Sequence, residues 1–172
     1  VFLSVVILLL SVPMSVGAAE AYTEGGYTYT VENGTATITE VSEHISGDVT
    51  VPDTLGGYPV TVIGDHAFYL RGDITSVTVP DGVIRIGKGV FDSCEKMTSI
   101  TLPDSVTDIG DRAFFNCEKL KIVTIPYGVT TIGEWAFGDC FSLTSINIPD
   151  SVTTIGDNAF YHCKSLTSIT IP

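Results

Sequence analysis

Apolar and polar positions along most of this chain fall into a single 23-residue pattern, Leu-x-x-Ile-x-Ile-Pro-x-x-Val-x-x-Ile-Gly-x-x-Ala-Phe-x-x-Cys-x-x, whose copies follow one another without gaps. The column that opens each unit reads Ile74, Met97, Leu120, Leu143 and Leu166. Two further columns follow, Val77, Ile100, Val123, Ile146, Ile169 and Val79, Leu102, Ile125, Ile148, Ile171. Polar residues alternate with them, which predicts a short, half-buried β-strand in every unit. Pro80, Pro103, Pro126, Pro149 and Pro172 end these strands, because proline has no N–H for a continuing ladder. A fixed period of this length predicts a solenoid, since no single coil can bury its own apolar face.

The second half of each unit carries the columns Ile63, Ile86, Ile109, Ile132, Ile155 and Gly64, Gly87, Gly110, Gly133, Gly156. A turn at positive φ is the expected reason for the glycines. Beyond them Phe68, Phe91, Phe114, Phe137 and Phe160 each follow a small residue, and a short helical or 3₁₀ turn would send the rings inward.

Together the Ile-Pro, Ile-Gly, Ala-Phe and Cys columns resemble the leucine-rich repeats of BspA-like bacterial surface proteins, over residues 49–172. Gly82, Ser105, Gly128 and Ser151 stand where commoner leucine-rich repeats carry asparagine. The resemblance implies a leucine-rich repeat solenoid of about five coils, with short parallel strands on a concave face and short helical or 3₁₀ turns on a convex one. It also implies adhesion to host matrix or serum proteins, such as fibronectin or fibrinogen, or contact with other cells.

Three segments are expected. Residues 1–21 read as a secretory signal peptide, truncated at its start, because an almost wholly apolar run, Val1 to Leu10, leads through Pro13 and Met14 to Gly17, Ala18 and Ala19. Residues 22–48 read as a β-hairpin cap, with alternating runs around Asn33-Gly34, although Asn33-Gly34-Thr35 also matches a glycosylation sequon. Residues 49–172 form the solenoid, and Leu55-Gly56-Gly57-Tyr58-Pro59-Val60 lengthens its first coil by a loop. The chain stops directly after a strand, so the C-terminus reads as truncated and the last coil as open to fraying or self-association.

Cys94, Cys117, Cys140 and Cys163 form one column, with Arg71 in the first coil. They are expected as unbridged core thiols packed like small hydrophobes, with oxidation or metal capture as alternatives. Asp65, Asp111, Glu134 and Asp157 form an acidic column broken by Lys88, expected to be a solvated face, with weak calcium binding as the alternative. His44, His66 and His162 have no nucleophile beside them that the repeat does not already explain. No catalytic residue, metal or cofactor is therefore assigned. A net charge of −12 makes nucleic acid and anionic membranes poor partners.

What remains for function is surface. Two outward columns of the strands are mostly Ser and Thr, broken by Lys121 and Ile122 in the third strand. Phe115, Tyr127, Trp135 and Phe141 are aromatic at variable positions on the same and adjoining coils. These six residues are the expected interaction patch, since exposed aromatic residues are frequent interface anchors. The leading reading is a secreted or cell-surface protein-recognition module, with glycan as a second ligand class. The alternatives are a spacer within a longer surface protein and a carbohydrate-docking module of a secreted enzyme.

Overall fold

The computed structural model describes residues 19–171, so the segment expected to be a signal peptide lies outside the described residues apart from its last three positions. Fifteen strands run along these residues: β1 (Ala21–Glu24), β2 (Tyr27–Glu32), β3 (Thr35–Val41), β4 (Gly47–Thr50), β5 (Thr54–Leu55), β6 (Tyr58–Ile63), β7 (Ile74–Thr78), β8 (Arg85–Ile86), β9 (Ser99–Thr101), β10 (Asp108–Ile109), β11 (Ile122–Thr124), β12 (Thr131–Ile132), β13 (Ser145–Asn147), β14 (Thr154–Ile155) and β15 (Ser168–Thr170). The coils contribute six strands to one sheet, β4-β7-β9-β11-β13-β15, and five to a second, β6-β8-β10-β12-β14, in which β6 has six residues and the others two. Both ladders of the repeat are parallel, and equivalent residues pair directly, as with Val77 and Ile100 or Ile109 and Ile132. The first sheet has six strands because β4 already belongs to the stack, so six coils are present where five were expected.

The third side of the coil contains no helix among the described residues. It is a stack of turns with the i→i+3 hydrogen bonds of a 3₁₀ turn, for example Asp92 N–H to Gly89 and Cys94 N–H to Phe91. The intervening N–H groups bond along the stack instead. Those of Gly89, Phe91 and Ser93 donate to the carbonyls of Asp111, Ala113 and Phe115 in the next coil, at 2.8, 2.8 and 2.9 Å. Two left-handed residues per coil allow this alternation, at positions such as Arg112 (φ 54°) and Asn116 (φ 56°). They also stop the turns from winding into a helix.

Positive φ thus falls two and six residues after the glycine of the Ile-Gly column, and not on that glycine itself. The expectation of a left-handed glycine turn is corrected on this point. A Cβ on Gly110 would lie 2.7 Å from the carbonyl carbon and oxygen of Gly87 and 2.8 Å from the nitrogen of Lys88. Close approach of successive backbones is the reason for the column.

Phe68, Phe91, Phe114 and Phe137 are fully buried, and their ring centroids follow one another at 5.0, 5.4 and 5.0 Å. Phe160 continues the ladder at 5.6 Å but is only partly buried. Tyr27 begins it from the cap, edge-on to Phe68 at 6.5 Å. The cap holds three strands where two were expected, β1-β2-β3, and β3 pairs in parallel with β6 so that it forms the first rung of the second sheet. Its turns, Gly25-Gly26 and Asn33-Gly34, have positive φ at both residues, as two-residue hairpins with the right twist require. The inserted Gly56-Gly57 makes a third such turn, between β5 and β6.

The four cysteines are free thiols, buried at Cys94, Cys117 and Cys140 and half-buried at Cys163. Each Sγ donates to the carbonyl of the phenylalanine one coil back, Cys94 to Phe68 at 3.3 Å and Cys117 to Phe91 at 3.1 Å, with Cys140 and Cys163 alike. Arg71 takes the same place in its own coil. Its Nε donates to Val41 O of the cap at 2.7 Å, and its guanidinium lies 3.8 Å from Glu40.

Candidate functional site

The six surface residues singled out from the sequence fall on different sides of the coil. Lys121 and Ile122 lie at the start of β11 on the long-strand sheet, where Ile122 is 59% exposed between Ser99 and Ser145. Tyr127 follows Pro126 at the corner between the two sheets and is 78% exposed. Phe141 lies just beyond Cys140, where the turn side leads back to the long-strand sheet, with the Lys164 ammonium 4.3 Å from its ring centroid. Phe115 and Trp135 meet on the turn side, edge to face, with centroids 6.0 Å apart.

That last pair belongs to a larger cluster. Tyr161 meets Trp135 at 4.9 Å, and the Arg112 guanidinium lies 5.0 Å from the centre of the Phe115 ring. Gly138 makes room for them: a Cβ there would come within 3.0 Å of Phe115 and 3.1 Å of Trp135. Phe115, Gly138 and Tyr161 occupy one column of the repeat. The gap left by Gly138 was the signal in the sequence that could have joined Tyr161 to the other two rings.

Beside this cluster the turn side sinks into a depression of about 750 Å³, lined by His66, Tyr69, Lys88, Asp92, Asp111, Arg112, Glu134 and Trp135. Its cause is local and lies in the second of the consensus coils. The column His66, Gly89, Arg112, Trp135, Asn158 has no side chain at Gly89, and the His66 ring folds over that glycine. In the column Tyr69, Asp92, Phe115, Gly138, Tyr161, the aspartate replaces a ring. His66 and Tyr69 stand edge to face at 5.6 Å on one side, while Arg112 and Trp135 rise on the other.

Asp92 is the buried charged side chain of the described core, 8% exposed. Its Oδ1 accepts from Ser93 Oγ at 2.8 Å, and Oδ2 has no donor from the described residues. Lys88, Asp111 and Glu134 line the rim, and Trp135 Nε1 donates to Glu134 Oε1 at 3.0 Å, which orients the indole. The acidic column has a further task, since Asp65 and Asp111 accept the N–H of Lys88 and Glu134 in the following coil, each at 2.9 Å.

The rim is built on costly backbone. His66, Arg112 and Trp135 have φ of 59°, 54° and 57°, where the same column carries Gly89 and Asn158. A bulky side chain in the left-handed region costs roughly 1–2 kcal/mol, which glycine avoids and asparagine lessens.

Covalent chemistry finds little support among the thiols. Burial pushes Cys94 up to about 12 and Cys163 up to about 11, and raises Cys117 and Cys140 well above the ordinary thiol value. A protonated thiol is a poor nucleophile and a poor metal ligand. His162 lies 3.2 Å from Asp139 and stacks on Tyr161 at 4.0 Å, away from any of the thiol ladder's hydrogen bonds.

Residues 61–172 match the family described as BspA type Leucine rich repeat region, in 6 copies. Among solved structures the chain is similar to the T. pallidum leucine-rich repeat protein TpLRR, at 30% identity and a TM-score of 0.83, over 89% of this chain and 72% of that one. A leucine-rich repeat protein from Bacteroides ovatus is 35% identical with a TM-score of 0.81, over 88% of this chain and 41% of that one. A leucine rich cell surface protein from Faecalibacterium prausnitzii is 31% identical with a TM-score of 0.60, over 91% of this chain and 55% of that one. The chain therefore spans well under two thirds of the last two proteins. No curated protein matches it. With the stacked Ile-Gly, Ala-Phe and Cys columns in place and two thirds of its length matched, this chain belongs to the BspA-type leucine-rich repeat family.

Proposed function

We propose that the chain is an extracellular recognition module that binds a protein partner, such as a matrix or cell-surface protein, on its long-strand sheet around β11. The observation that carries this reading is the break in an otherwise small, hydroxylated surface. Ile122 and Tyr127 are 59% and 78% exposed, with Lys121 beside them, while the positions equivalent to Ile122 carry Ser99 and Ser145, those equivalent to Lys121 carry Thr98 and Thr144, and those equivalent to Tyr127 carry Asp104 and Asp150. Exposed aromatic and branched side chains next to a cation are what a partner's interface core would cover. Likeness to a cell surface protein of F. prausnitzii supports the extracellular location. A family built from repeats and core thiols held protonated support recognition in place of catalysis.

The test is binding to a panel of matrix proteins, fibronectin and fibrinogen among them, by surface plasmon resonance in moderate salt. Ile122→Ser and Lys121→Glu should each weaken a saturable interaction by about tenfold or more, the scale of one modest hot spot. Binding by a folded sample that neither substitution changes would place the contact elsewhere. No binding to any member would favour the spacer reading.

A further inference from the structure

We propose that the depression on the turn side is a binding site for an uncharged oligosaccharide. The inference goes beyond protein recognition, because its residues lie on another side of the coil and its ligand is of another class.

Charge decides against the other ligand chemistries. Asp92, Asp111 and Glu134 line the depression, and the whole chain has a net charge of −12, which disfavours a phosphate, a sulfated glycan or a nucleic acid. A cationic peptide would have to pass Lys88 and Arg112, which stand on the same rim. An apolar ligand would seal the buried Asp92 carboxylate from water without offering it a donor, which is unfavourable. A neutral polyhydroxylated ligand meets none of these penalties. Its hydroxyls donate to Asp92 Oδ2 and to the rim carboxylates, and accept from Lys88 and Arg112.

Shape agrees with chemistry. The walls are aromatic at both ends, His66 and Tyr69 on one and Trp135 on the other, so the apolar C–H face of a sugar ring can lie against a ring while its edge hydroxyls reach the charges. Tyr69 is 43% exposed and so is available to a ligand. From the His66 coil to the Trp135 coil are three steps of the stack, roughly 14 Å at roughly 4.8 Å each. That length suits a short oligomer better than a single ring. A volume of about 750 Å³ lies within the usual range for small-molecule sites.

Trp135 is the one tryptophan of the chain, so its emission reports on this site alone. The experiment titrates the protein with neutral gluco-, manno-, xylo- and N-acetylglucosamine oligosaccharides, with a heparin oligosaccharide and an oligolysine peptide as charged probes, each up to about 10 mM. A saturable change with a neutral sugar is expected. Calorimetry should then show affinity reduced by about tenfold or more in Asp92→Asn, which keeps the shape and the Ser93 bond, and in the exposed Tyr69→Ala. Silence from every neutral sugar, stronger binding of heparin or oligolysine, or neutral-sugar affinity unchanged in both variants would each overturn the proposal.

Discussion

Every cysteine in the stack fills core volume and also ties one coil to the next through its thiol hydrogen bond to a phenylalanine carbonyl. Desolvation holds these thiols protonated, and it weakens toward Cys163, which is half-buried. Native protein at pH 8 should therefore take up an alkylating reagent first at Cys163. Cys94, Cys117 and Cys140 should react only on unfolding; mass-spectrometric counting of labels with and without denaturant checks the order. The same shift has a pH consequence. A folded thiol with raised pKa keeps its proton where the unfolded one loses it, so the contribution is present below about pH 9 and is lost as pH rises toward the value of about 12 at Cys94. The melting temperature should fall between pH 9 and 11, and less steeply in Cys94→Ala than in the parent. At this scale the sequence was legible where one column has one job. It misled at the Ile-Gly glycine, because a residue without Cβ serves positive φ and close approach equally well, and only neighbouring atoms tell which.

Between elements, the spacing of the coils is set by backbone meeting backbone. Gly110→Ala would drive a methyl into Gly87 and Lys88, which cannot move without opening two ladders, so a loss of about 3 kcal/mol or more is expected in urea denaturation. Gly34→Ala, at φ 78° with open space around it, should cost only about 1–2 kcal/mol for the left-handed backbone. Equal losses would contradict the close-approach account. The alternation of Gly82, Ser105, Gly128 and Ser151 has a similar origin. Ser105 Oγ donates to Val83 O at 2.7 Å and accepts from Gly82 N–H at 3.2 Å, while a Cβ at Gly128 would meet Asp104 O at 2.6 Å. Serine on one coil thus staples itself to the coil before, as Ser151 Oγ also does by donating to Val129 O at 2.7 Å. Ser105→Ala should cost about 1 kcal/mol, the worth of a modest hydrogen-bond loss.

Across the whole molecule, burial falls toward the last coil. Phe137 is fully buried, whereas Phe160, Cys163 and Leu166 are only partly so, and Ile169 and Ile171 are 37% and 62% exposed. In a one-dimensional stack each coil is stabilised by its neighbours, so amide protection in the 172-residue chain should decline from the Phe114 coil to the Phe160 coil. Uniform protection by hydrogen exchange would contradict this. The period alone was enough to specify a stack, its strands, its phenyl and thiol columns and its register, because residues one repeat apart must be neighbours at a fixed step along the axis. It carries no information on the angle around the coil. Tyr127 and Trp135 are close in sequence but belong to different sides, while Phe115 reaches Trp135 and Trp135 reaches Tyr161 across the gap at Gly138. The path of the left-handed turns sets that angle, and with it the depression over Gly89 and Asp92, because several coils must close on one another before side chains from different columns can meet.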